Sequence, residues 1–122
     1  MPRVIHFEIP AENATRAVDF YKKVFGWKIE KYPGGPEYWL VSTGDEKEPG
    51  INGAIAQKDE NHLATINTVV VESFDDAVKK ITGAGGKVLM PKMAVPNIGY
   101  MTYSKDTEGN VFGIMQTDPN AK

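Results

Sequence analysis

Glu12-Asn13-Ala14-Thr15-Arg16-Ala17-Val18 returns sixty positions later as Glu72-Ser73-Phe74-Asp75-Asp76-Ala77-Val78, and both stretches read as the entry into a helix. Extended without a gap, the same register places Gly26, Pro36, Glu48 and Gly53 on Gly86, Pro96, Glu108 and Gly113. It also places Ile9, Ile29, Val41 and Ile51 on Val69, Leu89, Met101 and Val111. Average composition yields roughly three identities over such an overlap, so the agreement in the order of element types carries more weight than the matches themselves. A unit of this length buries its own apolar face poorly. Two copies are therefore expected to close on one another, with a ligand cleft as the product.

Arg3 to Ile9 alternates as a strand, with Ile5, Phe7 and Ile9 on one face and Val4, His6 and Glu8 on the other. Asn13 caps the helix that follows. Ala17, Phe20, Tyr21, Val24 and Phe25 recur at helical spacing as its expected buried stripe, and Gly26 ends it. Strands are expected at Trp27 to Tyr32, Tyr38 to Thr43 and Ile51 to Gln57, with the turn Pro33-Gly34-Gly35-Pro36 after the first. The polar stretch Lys58 to His62 is read as a linker in which His62 is solvated.

The order then repeats. A strand at Thr65 to Val71 precedes a helix capped by Ser73, with Phe74, Ala77, Val78 and Ile81 as its stripe. Strands follow at Lys87 to Met90, Gly99 to Ser104 and Asn110 to Thr117. Pro91 to Asn97 reads as an ordered connection or as a lid. The expected architecture is α+β: one domain over residues 1–122, built of tandem βαβββ units at 3–57 and 64–117 whose curved mixed sheets form the cleft.

Composition narrows the function. In 122 residues, 14 Lys and Arg stand against 16 Asp and Glu, and no basic run offers a nucleic-acid partner. The absence of cysteine removes disulfides, thiolate metal sites and thiol nucleophiles. No apolar run is long enough for a membrane span and no signal peptide is evident, so a cytoplasmic protein is expected.

Three stretches resemble the vicinal-oxygen-chelate superfamily of glyoxalase I, bleomycin-resistance proteins and extradiol dioxygenases. They are His6 with Ala17-Val18-Asp19-Phe20-Tyr21 and Gly26-Trp27; Glu72 through Ala77 with Gly85-Gly86; and Asp106-Thr107-Glu108-Gly109-Asn110-Val111-Phe112. Metal-dependent members use four ligands, one from the first and one from the last strand of each unit. Carried over position by position, these fall on His6, Gly53, Ile66 and Gly113, of which only His6 can bind a metal. The resemblance thus implies a cleft with no cofactor, a divalent metal on His6 remaining possible, together with a homodimer.

His6 and Glu8, two apart on one strand face, are the candidate catalytic pair, with Glu8 orienting the imidazole. Gly53 and Gly113 leave space for a ligand or mark close backbone approach. Ile66, Thr68 and Tyr100 are further candidate ligand contacts, as are Val111 and Met115, which share the phase of Gly113. The first functional reading is a glyoxalase-like protein that binds a small organic molecule without the full metal site, as a binder or as the catalyst of a metal-independent isomerase or lyase step. A metal-dependent lyase or dioxygenase using His6 is the alternative, and a non-catalytic interaction module is a third.

Overall fold

In the computed structural model, which describes residues 1–34 and 37–122, the chain divides into two compact units. Gly35 and Pro36, part of the expected first turn, lie outside the described residues.

The first unit comprises His6–Ile66. It contains most of β1 (Arg3–Ala11), then α1 (Ala14–Phe25), β2 (Lys28–Lys31), β3 (Tyr38–Ser42) and β4 (Asn52–Gln57). Its strands lie in the order β2-β3-β4-β1, with β1 parallel to β4 and the other pairs antiparallel. Asn13 caps α1 by accepting the Arg16 N–H, and Gly26, at φ 70, ends it by donating to the Lys22 carbonyl.

Period-two alternation sorts the strand residues onto two faces. Ala11, Ile29, Val41 and Ile55 pack with Val18 of α1, joined by Phe7, Ile9, Ala17, Tyr21, Trp27 and Trp39. The stripe of α1 is therefore rotated from its expected position. Val18 is 3% exposed, whereas Phe20, Val24 and Phe25 are 55%, 53% and 59% exposed. The displaced rings find partners at the surface: Trp27 stacks on Tyr21 with centroids 5.1 Å apart and on Phe25 at 5.2 Å.

The second unit comprises Asn67–Lys122 with Met1–Ile5. It runs most of β5 (Ile66–Val70), then α2 (Phe74–Gly83), β6 (Lys87–Val88), β7 (Met93–Val95), β8 (Gly99–Lys105) and β9 (Val111–Thr117). The order is β5-β9-β8-β6, with β5 parallel to β9, and β7 also pairs with β8. β7 corrects the reading of Pro91 to Asn97 as a plain connection or lid: Met93, Ala94 and Val95 form a short strand opposite Met101, Tyr100 and Gly99. Ser73 caps α2 by accepting the Asp76 N–H, and Phe74 is its buried anchor. Among the described residues, both units are α+β.

The two registers are not copies of each other. Gly53 lies opposite Phe7 in the first unit. The sixty-residue repeat would place Gly113 opposite Asn67, yet it lies opposite Thr68. One residue of slip reverses the face.

Candidate functional site

The face of the first unit opposite α1 carries the chemistry. His6 and Glu8 project from β1, and Tyr38, paired across β3–β4 with Ala56, projects from the same face. The Tyr38 hydroxyl donates to Glu8 Oε2 at 2.6 Å and lies 2.8 Å from His6 Nε2. Glu8, 3% exposed, meets His62 through its other oxygen, with Oε1 to Nε2 at 2.9 Å. His62 Nδ1 is 2.9 Å from Asp59 Oδ1. Five side chains thus join in one line: Asp59, His62, Glu8, Tyr38 and His6.

The solvated His62 expected from the linker is corrected here, since the residue is 9% exposed. Local backbone chemistry explains the fold-back. Asp59 Oδ1 accepts the Asn61 and His62 N–H groups, each at 2.8 Å, and this tight turn aims the imidazole inward. The expected direct contact of Glu8 with His6 is also corrected, because Tyr38 stands between them. Strand phase alone could not assign Tyr38 to this face. For His62, the one sequence hint was the Asp59-x-x-His62 spacing, which says nothing of a partner 54 residues away.

The two histidines differ in charge. The hydrogen bond to Glu8 raises the His62 pKa to about 9, with Asp59 adding to the effect and burial opposing it. His62 is therefore an imidazolium at neutral pH, paired with a buried carboxylate. Burial lowers the His6 pKa below its ordinary value, outweighing the attraction of the Glu8 charge. His6 is a neutral imidazole, and its Nδ1 has no hydrogen-bond partner among the described residues.

The remaining candidates are distributed differently. Gly53 faces α1, not His6: a Cβ there would overlap the Phe7 ring and carbonyl oxygen. A Cβ on Gly113 would come within 2.7 Å of Thr68 Oγ1. Both glycines mark close approach to neighbours within their own units, which corrects the reading of them as ligand space. In the second unit, Thr68 is 5% exposed, and Val111 and Met115 share the face of Gly113. Ile66, at the start of β5, is 1% exposed. Tyr100 pairs with Gln116, whose side chain accepts the Phe74 N–H of α2. Its ring lies 4.9 Å from Lys92 Nζ, which also sits 5.1 Å from Phe74. Tyr100 is thereby turned toward α2, away from the Gly113 face where the candidate contacts lie.

A family model described as the Glyoxalase/Bleomycin resistance protein/Dioxygenase superfamily matches residues 3–114. The chain belongs to this superfamily. CFP32 of Mycobacterium bovis, which carries a provisional glyoxylase name, is 26% identical over 115 residues, covering 91% of this chain. The chain spans 44% of that relative's length. A glyoxylase-like domain-containing protein of Didymella fabae is 26% identical over 114 residues, with 88% of each chain covered.

Among solved structures, a methylmalonyl-CoA epimerase in complex with methylmalonyl-CoA and NH4+ superposes with a TM-score of 0.74 at 13% identity, covering 100% of this chain and 99% of the other. The methylmalonyl-CoA epimerase of Mycobacterium tuberculosis gives 0.71 at 11% identity, with coverage of 95% and 88%. At such identities the likeness establishes the fold.

Members of this superfamily often use a divalent metal, and around His6 the described donor groups are engaged with one another. Both Glu8 oxygens are taken by donors, both His62 nitrogens face carboxylates, and Asn52 Oδ1, beside His6, accepts the Thr43 N–H at 2.9 Å. Among the described residues, no three His, Cys, Asp or Glu side chains converge as ligands.

Proposed function

We propose that this chain is a small-molecule-binding member of its superfamily whose working group is His6, acting without a full metal site. The observation that carries this reading is the placement of His6: held at Nε2 by Tyr38, with no hydrogen-bond partner on Nδ1 among the described residues and its pKa lowered by burial. An imidazole so held accepts a hydrogen bond from a ligand, and it can take a proton from an acidic C–H or O–H in an isomerase or lyase step. The methylmalonyl-CoA carried by one structural neighbour supports a small carbonyl compound as the ligand class.

The test is thermal stabilisation by a panel of small carbonyl compounds including methylmalonyl-CoA, with and without EDTA, for the wild type and His6→Ala. Stabilisation that survives EDTA and disappears in the mutant supports the reading. Stabilisation that requires metal replaces it with a metal-dependent lyase or dioxygenase, and no response to any compound favours an interaction module. The reading includes a homodimer, supported by the exposed Phe20, Val24 and Phe25 on α1 and measurable by sedimentation.

A further inference from the structure

We infer that Asp59 and His62, from the segment between the repeats, are positioning residues that determine whether the His6 nitrogen left over from Tyr38, Nδ1, carries a proton or a lone pair. The inference rests on the role of His6 proposed above. It follows from counting protons along one line of hydrogen bonds.

His62 presents each ring nitrogen to a carboxylate oxygen at 2.9 Å. An ionised carboxylate only accepts, so both nitrogens donate and the ring carries both protons. Glu8 receives one of them on Oε1 and stays ionised, so its Oε2 must also accept. It accepts the Tyr38 hydroxyl proton at 2.6 Å. Tyr38 has then spent its single proton, and its oxygen can only accept from His6 Nε2 at 2.8 Å. His6 therefore carries its proton on Nε2 and leaves a lone pair on Nδ1.

The opposite direction is equally consistent with the distances between His6, Tyr38 and Glu8. In that arrangement Glu8 carries a proton on Oε2 and donates to Tyr38, which donates to His6 Nε2, leaving a proton on Nδ1. A ligand would then meet a donor in place of an acceptor. The charge on His62, held by Asp59, selects between the two directions by keeping Glu8 ionised. All five residues lie within His6–Ile66. Asp59 is the accessible end of the line, with 55% of its side chain exposed, while Glu8 at the centre is buried.

The experiment is 15N NMR of the histidine side chains in the ligand-free full chain at neutral pH, for the wild type, His62→Leu and Tyr38→Phe. Being ligand-free, it is independent of whether any compound binds His6, which the stabilisation screen decides separately. In the wild type, His62 is expected doubly protonated and His6 neutral with its proton on Nε2. In His62→Leu and in Tyr38→Phe the single tautomer of His6 should give way to a mixture. A role confined to structural support would leave the tautomer unchanged, so a folded His62→Leu that keeps the proton on Nε2 overturns the inference. A neutral His62, or a His6 protonated on Nδ1, overturns it in the wild type alone, whatever the folding of the variants.

Discussion

The two units share an order of elements, apart from the added β7 of the second, and differ in what they place opposite the helix. In the first, that face carries His6, Glu8 and Tyr38, and His62 folds onto it. Along β5 the corresponding positions are Ile66 and Thr68, and the neighbouring strands of the second unit present Met101, Tyr103, Gly113 and Met115. The helix side is apolar in the first unit, where Val18 meets Ala11, Ile29, Val41 and Ile55, while in the second it also buries Thr102 and Ser104 beside Ile114. Duplication of a scaffold thus need not duplicate a site, and here both histidines and the buried Glu8 lie in one unit.

The largest expected effect comes from breaking the charge line in the first unit. His62→Leu leaves Glu8 buried without its counter-charge and should cost about 3–5 kcal/mol of unfolding free energy, measured by urea denaturation. Replacing Thr68, the second-unit residue at the position of Glu8, with Val disturbs no ion pair and should cost far less. A comparable cost for both would erase the contrast between the units.

The pH profile should show the same asymmetry. His62 has a folded pKa of about 9, above its ordinary value, so its stabilisation is complete below about pH 6.5 and is lost as pH rises through 9. The loss is on the order of 3 kcal/mol. Denaturation at a series of pH values should show this slope in the wild type and lack it in His62→Leu.

The glycines test the register difference. Gly53→Ala would drive a methyl into the Phe7 backbone and ring and should cost about 2–3 kcal/mol. Gly113→Ala meets the Thr68 hydroxyl, a side-chain atom, and should cost about 1 kcal/mol. Equal costs, read by thermal or chemical denaturation, would argue that the repeat register holds after all. The smallest effect belongs to Ser104, fully buried in β8 with no hydrogen-bond partner for its hydroxyl among the described residues. Ser104→Ala removes an unsatisfied group and should leave stability within about 0.5 kcal/mol of wild type or raise it.

Much of the fold was legible before any coordinates. Asn13, Gly26 and Ser73 mark their helix ends through bonds to residues three or four positions away, and such bonds depend on local chemistry. Strand edges came within one or two residues, apart from β7, whose three residues are too few to show alternation. The stripe of α1 misled because Phe20, Val24 and Phe25 have the right period, and spacing does not say which side of a wide apolar surface meets the sheet. The site was half legible. His6 and Glu8 stood out as a polar pair on an otherwise apolar strand. Tyr38 and His62 did not, since one needed a strand phase and the other a partner 54 residues away.

The sequence by itself determined the order of elements, their caps and the superfamily, because periodicity, capping and turn chemistry act over a few residues. Tertiary structure alone decided the register that sends Gly53 and Gly113 to opposite faces and the closure of the linker onto Glu8. Both depend on pairings between distant segments, where one residue of slip, or one buried ion pair, changes what a face presents.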